Sequence, residues 1–208
     1  MDRHHWDDRY AGDDLVWSST PNEFLAREVQ GLPPGRAVDL ACGEGRNAIW
    51  LAEQGWTVTG VDFSAVGLAK AARLAAARSV EVEWVESDVL AWRPPAGGYD
   101  LVAVLYLQLS PAERAEALGI AASAVAPAGT LLVVAHDADN LRRGIGGPQD
   151  PDVLYRAEEV ADMARAAGLA VVTAGQVSRE VATDAGPRLA VDTLVRAERP
   201  GAGAARPA

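Results

Sequence analysis

Short apolar runs rich in β-branched residues alternate with alanine-rich helical stretches through the centre of the chain. The strand-like runs cover 37–41, 57–61, 99–105 and 130–136, and the helical stretches cover 46–54, 65–78 and 111–125. Strands that follow one another through helices pair in parallel with right-handed crossovers. This order predicts an α/β fold in which helices cover both faces of a mostly parallel sheet.

Further strands are predicted at the edge of the sheet and at the end of the chain. Residues 80–85 alternate apolar with acidic side chains, which is typical of a half-exposed edge strand. After a helix over 158–167, the strands 170–178 and 189–197 have no helix between them, so they should pair antiparallel. Residues 137–154 are rich in Gly, Pro, Asp and Asn without periodicity, which predicts a long loop.

Length and charge narrow the class of protein. The chain has 208 residues, which predicts a single domain over 1–199 followed by a flexible tail over 200–208. No apolar run reaches the roughly 20 residues of a membrane span, and the charged N-terminus lacks the apolar core of a signal peptide. We therefore expect a cytoplasmic protein with no membrane partner. The net charge of −10 argues against a nucleic-acid partner.

A glycine-rich turn joins the first predicted strand to the first helix. The segment reads Val38-Asp39-Leu40-Ala41-Cys42-Gly43-Glu44-Gly45-Arg46-Asn47-Ala48. Glycines let a backbone approach a ligand closely, and a helix N-terminus adds exposed N–H groups. Asp62 ends the second strand, where a carboxylate can accept hydrogen bonds from ribose hydroxyls. The pattern predicts a cofactor of the adenosine type, and a tight turn with a helix-capping Asp62 is the alternative.

The carboxylates near this turn favour one cofactor over another. Gly43-x-Gly45-x-x-Ala48 also fits the dinucleotide fingerprint, which would indicate NAD. Asp39 and Glu44 would repel a pyrophosphate, whereas Asp39 suits an ammonium group. Asp88 follows the third strand, where it could accept from the adenine amino group. This set favours S-adenosylmethionine (SAM), which is cationic at sulfur and has no phosphate.

The chain resembles the class I SAM-dependent methyltransferases and, within them, is similar to the tellurite-resistance and thiopurine-type small-molecule methyltransferases. The resemblance covers about residues 6–198. It rests on the antiparallel last pair of strands and on the segments 39–47, Gly60-Val61-Asp62-Phe63-Ser64, Ser87-Asp88 and Tyr99-Asp100-Leu101-Val102. It implies a Rossmann-like, seven-stranded sheet of order 3-2-1-4-5-7-6 with an antiparallel last strand. It also implies SAM as methyl donor and S-adenosylhomocysteine (SAH) as product.

The resemblance implies a role for each matching residue. Asp39 would hold the methionine portion of SAM together with the backbone of Ala41 and Gly43, and the carbonyl of Leu105 would accept from its ammonium group. Asp62 would bind the ribose hydroxyls. The expected cofactor-binding residues are Asp39, Ala41, Gly43, Gly45, Arg46, Asp62, Phe63, Asp88, Val89, Leu105 and Trp17.

The adenine side of the expected site rests on three of these residues. Phe63 would pack on the adenine ring, with plain core packing as the alternative. Asp88 would meet the adenine amino group, and Val89 would offer its backbone N–H.

The N-terminal segment, residues 1–30, is expected to form a lid over the cofactor, as the resemblance implies. Arg9, Tyr10 and Trp17 are candidates for the methionine carboxylate or for the roof of the pocket. A surface helix anchored by aromatic side chains is the alternative.

The acceptor side is expected to carry the catalytic residues His136 and Tyr106. His136 ends the fifth strand, at the edge where such sheets bind ligands, and an imidazole can take a proton from a hydroxyl. Tyr106 directly follows the fourth strand and should face the active site, with core packing as the alternative. The loop over 137–156 should cover the acceptor, and its arginines, Arg142 and Arg143, either bind an anionic substrate or are solvated.

No metal is expected at this site. The alternative is a divalent cation held by oxygen ligands of Asp137 and Asp139 beside His136. Acidic residues beside a loop more often cap local structure.

The sequence therefore predicts a methyltransferase that acts on a small molecule, with a hydroxyl as the first-choice acceptor. The alternatives are an S- or chalcogen methyltransferase, a non-catalytic SAM-binding module and an NAD-dependent oxidoreductase. Leu105-Tyr106-Leu107-Gln108 lacks the Asn/Asp-Pro-Pro-aromatic element of DNA amino-methyltransferases, so no nucleic-acid substrate is expected. A monomer and a homodimer both fit the sequence.

Overall fold

Seven strands form one central sheet in the computed structural model, which describes residues 3–201. The strands are β1 (Arg36–Leu40), β2 (Thr57–Asp62), β3 (Glu83–Glu86), β4 (Tyr99–Leu105), β5 (Val125–His136), β6 (Ala170–Val181) and β7 (Arg188–Glu198). Their order is β3-β2-β1-β4-β5-β7-β6, which confirms the expected topology. Strands β1 to β5 pair in parallel, and β7 pairs antiparallel with both β5 and β6.

Seven α-helices and one short 3-10 helix surround this sheet in the described part of the chain. They are α1 (Arg3–Tyr10), α2 (Glu23–Glu28), α3 (Arg46–Glu53), α4 (Ala65–Ala77), α5 (Pro111–Ala124), α6 (Asn140–Arg143), α7 (Ala157–Ala166) and the 3-10 helix Pro151–Val153. Within residues 3–201, no helix combines the length and the apolar character that a membrane crossing requires. Most of the predicted tail, residues 202–208, lies outside the described residues.

Alternate residues of the central strands point into two separate cores. In β4, Val102 and Val104 pack with α5 and α7 on one face of the sheet. Leu101 and Ala103 pack with α2 and α3 on the other face. This alternation follows from the two-residue repeat of a strand. It also explains why β4 is apolar from Leu101 to Leu105, since a strand segment covered on both faces has no solvent side.

Strand β5 and the loop that follows it differ from the sequence prediction. Strand β5 begins at Val125 rather than near 130, because Val125 pairs with Tyr99 before a register shift and Ala128 then adopts a positive φ of 63°. Residues 137–154 are not a featureless loop, since they contain α6 and the 3-10 helix. Buried Asn140 organises this loop by accepting from the Val191 backbone and donating to the Gly146 carbonyl.

Candidate active site

The carboxyl ends of the parallel strands surround a large cavity. It has a volume of about 890 Å³ and is lined by residues that follow β1, β2, β4 and β5, by the N-terminal segment and by part of β6. A site outside the carboxyl ends of the strands, where the order reverses between β1 and β4, is the usual ligand position in open α/β sheets. All predicted site residues except Asp39 and Gly45 line this cavity.

The glycine turn after β1 is fixed by Asp62 at the end of β2. The Gly43 backbone N–H donates to Oδ2 of Asp62 at 2.8 Å, and the Ser64 N–H donates to Oδ1 at 2.8 Å. Burial raises the pKa of Asp62, and these backbone donors oppose that rise. Each carboxylate oxygen keeps a further lone pair, so Asp62 can still accept from ligand hydroxyls that enter the cavity.

Gly45 has a packing role beneath the site rather than a place in its wall. Its φ is +77°, and a Cβ at this position would lie 2.6 Å from Trp84 and 2.8 Å from Ala71. A side chain would therefore be strained and would clash with the helix and strand behind the turn. This close packing sets the N-terminus of α3 against the cavity.

Asp39 lies behind the turn with one oxygen unsatisfied. The side chain is 1% exposed, accepts from the Ala48 backbone, and leaves Oδ2 without a hydrogen-bond partner among the described residues. Burial raises the pKa of Asp39 to about 7; nearby Arg46 lowers it and nearby Asp62 raises it. An unpaired buried carboxylate is costly, and its presence beside a ligand cavity is typical of functional sites.

Glu44 does not act as the sequence argument assumed. Its carboxylate accepts from Lys70 Nζ at 3.0 Å and from the Val16 backbone N–H at 3.0 Å. Lys70 also donates to the Asp14 carbonyl at 2.7 Å. The use of Glu44 as a free charge that repels a phosphate was therefore wrong, because its charge is paired with that of Lys70. The pair instead fastens the N-terminal segment to the glycine turn.

Aromatic residues of the N-terminal segment cover the cofactor side of the cavity. Tyr10 is buried against the turn, since a Cβ on Gly43 would lie 2.6 Å from its hydroxyl oxygen. Trp17 lines the cavity, whereas Arg9 stacks on the rings of Trp6 and Trp17 at 5.2 and 4.9 Å and is not among the lining residues. Of the three residues predicted for the roof, Tyr10 and Trp17 line the cavity, and Arg9 packs on the ring of Trp17.

Tyr106 and His136 meet in the cavity wall at the carboxyl ends of β4 and β5. Their ring centroids are 4.7 Å apart, and Tyr106 adopts a positive φ of 56° directly after β4. Its backbone N–H donates to the Val134 carbonyl at 2.7 Å, which holds the turn against β5. The Tyr106 hydroxyl can donate to Oδ2 of Asp192 at 2.8 Å. Burial raises the pKa of Tyr106, as does nearby Asp192, so the phenol stays protonated at neutral pH.

Asp192 is a site residue that sequence reasoning missed. It is fully buried, at 0% exposure, and its Cα is paired with that of His136 in the β5–β7 ladder. Oδ1 of Asp192 lies 3.3 Å from Nδ1 of His136, and Oδ2 accepts from Nε of Arg179 at 2.7 Å. The one signal in the sequence is an acidic residue inside the apolar run 189–197, and a pattern alone does not give its partner.

The loop after β5 contributes to the cavity in part. Asp150, Asp152 and Val153 line it, but Arg142 and Arg143 do not, since both pair with Asp139, at 2.7 and 3.1 Å. The two arginines therefore do not lie where they could bind an anionic substrate in this cavity.

The alternative of a metal beside His136 finds no support in the geometry. The Asp137 carboxylate accepts from Thr193 Oγ1 at 2.7 Å, from Gln176 Nε2 at 2.9 Å and from the Asp139 backbone at 2.8 Å. Over residues 3–201, no group of three or more His, Cys, Asp or Glu side chains is arranged to hold a metal ion.

Comparison with known proteins agrees with this architecture. Residues 37–129 match the family described as "Methyltransferase domain". The match covers 93 of the 208 residues and shows that this segment is similar to a methyltransferase domain. The matched residues include the glycine turn, Asp62, Asp88 and Tyr106.

One curated relative is similar to this chain over part of its length. The demethylmenaquinone methyltransferase of Thermus thermophilus is 36% identical over 125 residues, which are 59% of this chain and 55% of that protein. The chain thus spans about half the length of this curated relative.

Two solved structures show a similar fold over most of the chain. One comes from work described as "Conversion of a Disulfide Bond into a Thioacetal Group during Echinomycin Biosynthesis"; it has a TM-score of 0.75 and 20% identity and covers 95% of this chain and 92% of that one. TehB from Haemophilus influenzae has a TM-score of 0.70 and 14% identity and covers 95% of this chain and 66% of that one. At these identities the likeness concerns the fold alone.

Proposed function

We propose that this protein transfers a methyl group from SAM to a hydroxyl group of a small molecule. The observation that carries the proposal is His136, which lines the same cavity as the glycine turn and contacts a buried carboxylate through Nδ1. A neutral imidazole whose Nδ1 faces a carboxylate has Nε2 available to accept a proton. His136 is thus suited to take the proton of an acceptor hydroxyl.

The cofactor half of the cavity has groups that match each part of SAM. Asp62 would accept from the ribose hydroxyls, while Phe63 and Asp88 would contact the adenine. Arg46 lies beside the turn as a cation for the methionine carboxylate, and Asp39 supplies negative charge beneath it. Bound SAM would supply an activated methyl group on a positively charged sulfur.

The residues of this chain would then align the acceptor and handle one proton. The acceptor oxygen forms a bond to the methyl carbon as the carbon–sulfur bond breaks, and SAH leaves with both electrons of that bond. The hydroxyl proton moves to Nε2 of His136 and is later released to solvent. Because the donor is already activated, alignment and exclusion of water supply most of the acceleration, and a positioned base contributes roughly 10²–10⁴-fold.

A hydroxylated ring methylated at carbon is a second candidate. The Thermus thermophilus relative is named for a demethylmenaquinone substrate. The cavity wall also includes the apolar residues Leu107 and Leu109, which suit a flat ring. Removal of a ring hydroxyl proton by His136 would serve both oxygen and carbon methylation, so the position of the new methyl group distinguishes the two.

Binding and turnover together test the proposal. Calorimetric titration should give micromolar binding of SAH and no binding of NAD. A panel of small hydroxylated and thiol acceptors, incubated with methyl-labelled SAM, should give labelled product from hydroxylated members. If the protein binds NAD alone, the glycine turn is a dinucleotide-binding site. If only thiols give product, the acceptor atom is sulfur rather than a hydroxyl oxygen. SAH binding without turnover on any acceptor would favour a non-catalytic SAM-binding module.

A further inference from the structure

We propose that Asp192 is a positioning residue that fixes the tautomer of His136, and that Arg179 balances the Asp192 charge so that His136 can exist as the neutral base. The catalytic meaning of this arrangement rests on the proposed function of His136. The arrangement itself is a property of the free protein.

The contacts of Asp192 divide between its two oxygens. Oδ2 accepts from Tyr106 at 2.8 Å and from Arg179 at 2.7 Å, so it is fully engaged. Oδ1 of Asp192 and Nδ1 of His136 are both buried, and neither has an aligned hydrogen-bond partner among the described residues. At 3.3 Å they are the nearest polar atoms available to each other. A small rotation of the ring would turn this contact into a hydrogen bond, and such bonds often tighten only when substrate binds.

This contact selects the tautomer. A carboxylate oxygen can only accept, so the neutral ring must carry its hydrogen on Nδ1. Nε2 then has a lone pair that points away from Asp192. The other tautomer would place two lone pairs against each other and would leave no acceptor for the substrate proton. The same logic governs the Asp–His pair of serine proteases.

An isolated carboxylate at this distance would keep the ring protonated. An opposite charge within about 4–6 Å favours the charged form by ~1–3 pH units, and an imidazolium cannot act as a base. Arg179 offsets this effect, because its guanidinium binds the same carboxylate. Burial lowers the pKa of Arg179, while nearby Tyr106 and Asp192 raise it, and the net direction is upward, so its charge is retained.

Further groups lie near the cluster of Tyr106, His136, Arg179 and Asp192. Arg46 reaches the Tyr106 side from α3. Gly147 brings loop backbone close to the ring, since a Cβ there would lie 3.0 Å from Nδ1 of His136. Asp137 is engaged by Thr193 and Gln176. The carboxylates elsewhere along the cavity wall are Glu23, Glu44, Asp62, Asp88, Glu113, Asp150, Asp152 and Glu180.

Nitrogen-15 NMR of the imidazole rings tests the proposal on the free protein, with neither SAM nor acceptor present. The chain has three histidines, so a His136→Asn variant assigns the signals. In the unmodified protein, the neutral His136 ring should carry its hydrogen on Nδ1. In Asp192→Asn, Tyr106 and Arg179 would retain the side-chain oxygen and turn the amide NH₂ toward Nδ1, so the hydrogen should move to Nε2.

The titration midpoint of the His136 ring gives a second readout, and two variants should shift it in opposite directions. Asp192→Asn should lower it by about 1 pH unit, since it removes the anion that stabilises the imidazolium. Arg179→Gln should raise it by about 1 pH unit, since it removes a competing cation. Asp137→Asn is the matched control, because it removes a buried carboxylate from the adjacent residue; it should shift the midpoint less and keep the tautomer.

The outcomes separate this proposal from the proposed function. An Nε2–H tautomer in the unmodified protein would overturn it, even if the Asp192 and Arg179 variants failed to fold. Equal shifts in Asp192→Asn and Asp137→Asn, or a downward shift in Arg179→Gln, would also overturn it. None of these results depends on SAH binding or turnover, so a chain that proves to be a non-catalytic module could still pass this test.

Discussion

Glu44 and Lys70 form a buried ion pair, with Oε1 and Nζ 3.0 Å apart and the two side chains 3% and 7% exposed. Glu44 also accepts from the backbone at Val16, and Lys70 donates to the carbonyl of Asp14. The pair thus joins three parts of the chain: the glycine turn, α4 and the N-terminal segment. The N-terminal segment is held against the glycine turn by charge and backbone contacts as well as by its aromatic side chains.

Glu44→Gln should destabilise the protein strongly, because it leaves Lys70 as an unpaired buried charge. Loss of one partner of a buried pair costs about 3–5 kcal/mol. The matched control is Glu53→Gln, which removes the half-exposed pair between Glu53 and Arg78, and such pairs contribute at most about 1 kcal/mol. Urea unfolding measures both free energies, and hydrogen exchange should be faster at Val16 in Glu44→Gln alone. Equal losses in the two variants would show that the buried pair does not fasten the lid.

In the free protein, Asp39→Asn should be more stable than the unmodified protein, and this advantage should grow as the pH rises. The folded-state pKa of Asp39 is about 7, against an ordinary value of 3.8. Because the pKa is raised, the stability that the neutral carboxyl contributes is fully present below about pH 4 and is lost as the pH rises through about 7. The advantage of the variant over the unmodified protein should therefore widen by ~2 kcal/mol between pH 5 and pH 8.

Urea unfolding at the two pH values measures this difference. If the buried charge serves the cofactor, the stabilised variant should also bind SAH more weakly. An advantage that stays constant with pH would show that Asp39 does not titrate between pH 5 and pH 8. Unchanged SAH affinity would remove Asp39 from the cofactor site.

The parts of the fold that could be predicted are those that depend on local pattern. The ends of β2, β4 and β5 fall at Asp62, Leu105 and His136, as the apolar runs indicate, because a buried parallel strand stops where polar residues begin. Asp62 and His136 could be placed at one edge for the same reason. Strand β3 is shifted towards the C-terminus, since residues 83–86 pair with β2 whereas the prediction was 80–85.

The contacts that could not be predicted depend on register between distant segments. Asp192 meets His136 because β7 pairs antiparallel with β5 at this register, and a shift of one residue would turn its side chain to the opposite face. Arg179 reaches the same carboxylate from β6, through a second antiparallel register. The pairing of Glu44 with Lys70 likewise joins a turn to a helix that is separated from it in sequence. No period in the sequence carries this information.

Asp62→Asn should weaken SAH binding at least tenfold. Both oxygens of Asp62 accept backbone N–H groups, and an amide can accept at only one of them. The backbone N–H of either Gly43 or Ser64 would lose its acceptor. The ribose would lose a charged acceptor, which contributes about 1.5–3 kcal/mol. Asp100→Asn is the control, because that carboxylate accepts from the Arg36 backbone at the amino end of β4, away from the cavity. Calorimetric titration checks both, and equal affinities would remove Asp62 from the ribose site.

His136→Asn should lower turnover with a hydroxylated acceptor by ~10²-fold or more, while SAH binding stays within twofold of the unmodified protein, since a positioned base contributes roughly 10²–10⁴-fold. Asparagine fills similar space, and its side chain cannot take up a proton at neutral pH. His4→Asn, on the exposed side of α1, is the matched control and should keep full activity. Steady-state rates with the acceptor from the panel measure both variants. Full turnover in His136→Asn would remove the base from the mechanism and leave alignment alone to account for catalysis, which would favour sulfur as the acceptor atom because a thiolate needs no base at the moment of transfer.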